Sequence, residues 1–187
     1  FDQDCRLTAL ALGRRLGLSA RLHINFLPNA VARTDTCLRE TVRAARRNRT
    51  PLDRVVFEVA ETERVADVPR LVSVLGDCRR AGVRIAIDDF GAGYAGLNLL
   101  ADLHPDLIKL DLGLCRGIDR SRPRRAIVHG VLAACRDLDI GVIAEGVETG
   151  GELSALRDMG VRYFQGYLFA RPALERLPDV VWPGPCA

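Results

Sequence analysis

The chain has 187 residues, 48% of them hydrophobic and 27% charged, the balance of an ordinary soluble globular protein with enough apolar material for one substantial core. Its formal net charge is only +3, and its basic residues scatter over helix-like stretches such as TVRAARRNR without aromatic interleaving, which argues against a nucleic-acid groove. No apolar run approaches the roughly 18 to 20 residues that cross a bilayer, and FDQDCRLTAL lacks the pattern of a signal peptide, so a cytoplasmic setting is expected.

In chain order, an opening helix, CRLTALALGRRLG, precedes six short runs rich in Val, Ile, Leu and Phe, at 21–27, 54–60, 83–89, 106–112, 140–146 and 161–169. Each reads as a strand buried on both faces. Amphipathic helices are expected between most of them. Residues 67–81 put Val68, Leu71, Val72, Leu75 and Cys78 on one stripe, with Asp67 as N-cap and Gly82 as a stop. Residues 123–138 align Ile127, Val131, Cys135 and Leu138, and Thr149 with Glu152 forms a capping box for a helix that ends at Gly160. Residues 173–187 look irregular.

Strand-helix alternation predicts parallel strands with right-handed crossovers, either an open doubly wound sheet or a closed barrel. Polar residues end most of the strands: Asn25, Glu58, Asp88 with Asp89, Lys109 with Asp111, Glu145, and Gln165. An open sheet would gather such residues at one switch point, whereas a (β/α) barrel spreads them around one mouth. The expected fold is therefore a TIM-like (β/α) barrel. Six strands are too few to close eight, so either two N-terminal strands are missing or the sheet is open.

Two features stand out chemically. Asp88 and Asp89 end an apolar strand side by side. Because side chains alternate, both can face one site only if the strand stops there, with the glycines of FGAGY turning the second carboxylate inward. Two ionised carboxylates this close need cations, and an all-oxygen set suits Mg²⁺ or Mn²⁺. Such a site can hold two metals and activate a water for phosphoester hydrolysis. The second feature is Lys109, the only lysine among 27 basic residues, set in the strand-like DLIKLDL where a solvated lysine is least expected. Its survival in an Arg-biased chain suggests a place that guanidinium cannot fill. The six cysteines form no CxxC pair and have no histidine at zinc spacing, so they read as reduced and mostly buried.

The series INFLPN, FEVAETE, AIDDFGAGYAGLNLL, LIKLD, IAEGVET and FQGYLFARP resembles, in order and along nearly the whole chain, the EAL family of cyclic di-GMP phosphodiesterases, most closely the subgroup found with blue-light (BLUF) sensors. The resemblance implies a TIM-like barrel and a signalling output domain that hydrolyses cyclic di-GMP to linear pGpG with Mg²⁺ or Mn²⁺. It implies Asn25, Glu58 and Asp88 as ligands of one metal, with Asp88 and Asp89 serving the second. It further implies Lys109 beside the attacking water or a phosphate oxygen, Glu145 as second-metal partner or general base, and Gln165 as a water or substrate contact. Asp111 would face the same way as Lys109 by strand parity, as a substrate-side residue that steadies the site or the second metal's waters. Glu61 would fix the loop after Asp89, which links the site to a homodimer contact, and Glu148 would orient its own turn. His23, His104 and His129 match no functional position of the family.

The Glu-Ala-Leu signature that names the family does not occur. On this reading residues 1–187 are an N-terminally incomplete EAL-type domain, expected to follow a sensor in a longer protein. The alternative is a degenerate, non-catalytic module that binds cyclic di-GMP or mediates dimerisation and regulation.

Overall fold

The computed structural model describes residues 2–27, 29, 36–63, 65–93 and 96–183, so Tyr94 and Ala95 of the expected dimer loop and Cys186 lie outside the described residues, as does the side chain of Cys37. The described elements are α1 (Asp2–Arg15), β1 (Leu22–Asn25), α2 (Thr36–Arg47), β2 (Val55–Ala60), α3 (Val68–Arg80), β3 (Arg84–Phe90) and α4 (Gly96–Leu103). Then follow β4 (Leu107–Leu110), α5 (Leu112–Cys115), α6 (Arg122–Asp137), β5 (Gly141–Ala144), α7 (Gly150–Asp158) and β6 (Tyr163–Phe164). All six strands pair in parallel in the order β1 to β6. The sheet is a partial TIM-like barrel, as the alternation and the polar strand ends predicted.

Strand parity divides the apolar residues into two layers. Val55, Phe57, Val59, Ile85, Ile87, Ile108, Leu110 and Ala144 point outward and pack with the helices in the main core. Val56, Ala86 and Leu107, with Ile143, form a second and separate cluster on the inner face. Two residues further along these four strands lie Glu58, Asp88, Lys109 and Glu145. Each therefore shares the inner face, one layer nearer the strand ends, on a floor that excludes water from below.

Local signals match closely at several helix ends. Asp67 accepts the Arg70 N–H as N-cap of α3, and Thr149 and Glu152 form the reciprocal capping box of α7. The apolar stripes are rotated from expectation. On α3 Val74 is buried and Val72 is exposed; on α6 Val128, Leu132 and Cys135 are buried while Ile127 and Leu138 are exposed. Adjacent apolar residues at 127 and 128, and again at 131 and 132, leave the helical period unable to choose between two faces; contact with the sheet chooses. Arg6 also departs from a solvated basic surface. It is buried against Thr41 and the Asp2 carboxylate, with its guanidinium 5.5 Å from the centre of the Phe26 ring. Cys78, Cys115 and Cys135 are buried free thiols and Cys5 is exposed. No helix among the described residues is long and apolar enough to cross a membrane.

The segment after β6 crosses the turn after β5 at close range: a Cβ on Gly166 would lie 2.1 Å from the Val147 carbonyl oxygen. Backbone cannot give way as a flexible side chain can. Gly166→Ala is expected to cost on the order of 1–3 kcal/mol, measured by urea unfolding, and to loosen residues 165–169 from the sheet.

Candidate functional site

The bottom of the site is an ion-pair cluster. Lys109, almost fully buried, carries its Nζ to 2.9 Å from Glu58 Oε1, 2.9 Å from Asp88 Oδ1 and 2.8 Å from Glu145 Oε1. Three strands besides its own thus converge on one ammonium. Lys109 lies in register with Ile143, and Glu58 with Ala86, so successive contributors are staggered along the tilted strands and only a long, thin side chain spans them. Glu58 Oε1 is shared: His23 Nδ1 lies 2.7 Å from the same oxygen. His23 belongs to the site although sequence reasoning set it aside. The available signal was its parity with Asn25, two residues on.

The two aspartates share one site by a route other than the one expected. The strand does not stop after Asp89 but runs on to Phe90, and its register with β4 shifts between Ile87 and Phe90, so two residues of β3 stand against one of β4. Asp89 itself takes the left-handed conformation, with φ of 53°. Aspartate tolerates that region better than most residues, at a cost of roughly 1 kcal/mol. The bulge, rather than the following glycines, turns its carboxylate. Asp88, Asp89 and Glu145 then bring ligand oxygens within 4.8 Å of one another.

The remaining predicted residues are spread around this centre. Asn25 ends β1 in register with Glu58. Asp111 is not part of the strand: β4 ends at Leu110, and Asp111 is the N-cap of α5, accepting the Gly113 N–H at 2.7 Å. Its charge still reaches Asp89. Glu61 is buried and accepts the N–H groups of Gly91 at 2.6 Å and Gly96 at 2.8 Å, bridging the turn after β3. Glu148 is exposed and accepts from Arg116 at 2.7 Å, which joins its turn to another loop. Gln165 follows β6 and lines, with Glu148, Arg116, Leu112, Tyr167 and Arg171, a cavity of about 520 Å³.

The electrostatics are uneven. Burial works to raise Glu58, but the His23 hydrogen bond and the Lys109 ammonium outweigh it and hold the carboxyl below its ordinary value. Glu145 touches the same ammonium without a histidine; there burial, with the charges of Asp88 and Glu58, wins and raises it. Burial and the neighbouring charges of Asp88 and Asp111 also raise Asp89. Lys109 loses hydration by burial, yet its three carboxylates outweigh this and raise its pKa, so it stays charged. One ammonium among four carboxylates leaves net negative charge on hard oxygen donors. This donor set fits Mg²⁺ or Mn²⁺, with no thiolate in the cluster.

The family model of the EAL domain matches residues 4–172. The chain belongs to the EAL domain family. This EAL domain is 33% identical over 183 residues to the blue light- and temperature-regulated antirepressor BluF of Escherichia coli (strain K12), a match covering 97% of the chain and 45% of BluF. It is 36% identical over 116 residues to the cyclic di-GMP phosphodiesterase NbdA of Pseudomonas aeruginosa, covering 62% of the chain and 15% of NbdA. The chain thus spans less than half the length of these curated relatives. Among solved structures, the c-di-GMP-bound standalone versatile EAL protein of Vibrio cholerae O395 superposes with a TM-score of 0.92 at 45% identity, covering 97% of this chain and 76% of that one. A manganese and cyclic di-GMP complex of Klebsiella pneumoniae BlrP1 superposes with a TM-score of 0.89 at 41% identity, covering 94% and 45%.

Raised carboxyls give this EAL domain a pH signature. The folded protein binds the protons of Asp89 and Glu145 more tightly than the unfolded chain does. Their contribution to stability is present below the ordinary carboxyl range and is lost as pH rises through the raised values. A cation that neutralises the ionised pair restores it. Mn²⁺ is therefore expected to raise Tm more at about pH 7.5 than at about pH 4.5, and Asp89→Asn to shrink the difference; equal shifts at both pH values would count against the assignment.

Proposed function

We propose that this EAL domain is a divalent-cation-dependent phosphodiesterase that opens cyclic di-GMP to linear pGpG. The observation that carries the reading is the convergence of Glu58, Asp88 and Glu145 on the Lys109 ammonium, with Asp89 turned toward the same oxygens by a bulge. The cyclic di-GMP of the Vibrio and Klebsiella complexes supports the substrate, and the manganese of the latter supports the cation.

In this reading Asn25, Glu58 and Asp88 would hold one Mg²⁺ or Mn²⁺, and Asp88, Asp89 and Glu145 would hold the second. When bound, such ions supply charge that acidifies water and draws electron density from phosphoryl oxygens. The chain's own groups do the rest. Glu145, whose pKa burial raises above the ordinary carboxyl value, is suited to take a proton from the attacking water. Lys109 keeps its proton and presents compact positive charge where negative charge develops. Gln165, Glu148 and Arg116 face the cavity beside the strand ends, where polar groups of the dinucleotide are received. Asp111 assists through its charge on Asp89 and by capping α5, and Glu61 holds the turn that follows Asp89. We extend the proposal to a cytoplasmic homodimer governed by an upstream sensor; of these, the sensor is supported by the light regulation in the name of the relative BluF.

A second reading also draws on BluF, whose name is that of an antirepressor: a regulatory domain that acts through a protein partner without turnover. Incubating the full-length protein with cyclic di-GMP and Mg²⁺ or Mn²⁺ separates the two. Linear pGpG is expected, and metal-independent binding with no product would favour the regulatory reading. Lys109→Arg should retain cyclic di-GMP binding while lowering kcat by at least about 100-fold, because a planar guanidinium cannot place one point charge among three converging carboxylates. Unchanged kcat would remove Lys109 from the mechanism.

A further inference from the structure

The turn from Glu145 to Thr149 carries two of the site residues, and much of its fixation depends on one side chain. Glu152 is buried, with 5% of its surface exposed. Its Oε2 accepts the N–H groups of Glu148 at 3.0 Å and Thr149 at 3.1 Å, and its Oε1 accepts the Gly117 N–H at 2.8 Å. The first two bonds belong to the capping of α7. The third does not, because Gly117 lies 35 residues away, in the connection between α5 and α6. No helix cap requires it.

Gly117 is shaped for this contact by its φ of 64°, and the neighbouring Arg116 is tied on both sides. The Arg116 carbonyl accepts from Arg124 at 2.6 Å, and the Arg116 guanidinium donates to Glu148 at 2.7 Å. The turn is held at its other end by the Glu145 N–H on the Leu110 carbonyl at 3.2 Å and by the Val147 N–H on the Gln165 carbonyl at 3.1 Å. The Glu152 carboxylate closes the remaining side.

We propose that Glu152 is a positioning residue that clamps the α5–α6 connection to the turn after β5, and thereby fixes Glu145 against Lys109 and Glu148 at the edge of the cavity. A cap alone would order α7. A clamp orders two loops on different strands, and its loss displaces Glu145 from its 2.8 Å contact with Lys109. Only the activity arm of the test below rests on the phosphodiesterase reading.

The test compares Glu152→Ala, Glu152→Gln and Thr149→Ala in the full-length protein. Thr149→Ala removes the Thr149 hydroxyl that caps α7 and leaves the carboxylate in place. By hydrogen exchange, the amides of Gly117 and Glu148 should exchange at least about tenfold faster in Glu152→Ala, while Thr149→Ala leaves both protected. With cyclic di-GMP, kcat should fall by about tenfold or more in Glu152→Ala and stay near wild type in Thr149→Ala. Glu152→Gln keeps a single acceptor oxygen for three donors and should fall between, which also serves if Glu152→Ala fails to fold. Protected Gly117 and Glu148 amides in both Glu152 variants would overturn the clamp, as would equal effects of Glu152→Ala and Thr149→Ala on kcat. Should the wild type show no turnover, the phosphodiesterase reading fails and hydrogen exchange alone decides the clamp.

Discussion

Like charges do not gather in a protein interior unless something of opposite sign holds them. The inner face of this barrel brings carboxylates from β2, β3 and the end of β5 to one point, and the Lys109 ammonium is the positive charge that makes the gathering possible. Its own burial is tolerable only because three carboxylates surround it. The apolar floor of Val56, Ala86, Leu107 and Ile143 sharpens both effects by keeping water away from the layer above. Because one ammonium cannot balance four carboxylates, the site is left with an appetite for further positive charge.

The loops at the mouth are ordered by the same chemistry in miniature. Glu61 draws together the backbone N–H groups around the turn after β3, and Glu152 those around the turn after β5. Both are buried carboxylates that accept from peptide groups rather than from cations. Side chains are excluded nearby as a result: a Cβ on Gly96 would lie 2.9 Å from the Glu61 carboxyl carbon. The face at the strand ends is thus built from carboxylates in two roles, some directed to the centre and some to the loops that frame it.

Much of this was legible in the sequence, for definite reasons. Strands buried on both faces leave continuous apolar runs, and polar residues that interrupt such runs have few places to go except an enclosed site; Glu58, Asp88, Lys109 and Glu145 were found this way. Features that depend on neighbours distant in the chain were harder to read. Nothing local tells whether Ile127 or Val128 faces the sheet, or that Arg6 stacks over Phe26 instead of meeting solvent. Asp111 looked like a strand residue because the apolar run DLIKLDL continues past it to Leu112, yet a helical turn begins at Leu112 and recruits it as a cap. His23 matches no functional position of the family, and its partner, Glu58, lies 35 residues away on the adjacent strand, beyond the reach of any local pattern.

The bulge in β3 has a consequence for how such a domain can change. Deleting one residue from a buried strand ordinarily reverses the facing of everything beyond it. Here Ile87 pairs with Ile108 and Phe90 with Leu110, so β3 carries one residue more than an even ladder needs. Loss of a single codon at Asp88 or Asp89 would restore that ladder and leave the outward core intact, while removing half of the carboxylate pair. The step from a domain that carries the carboxylate pair to a folded one without it is a deletion the sheet is already built to absorb.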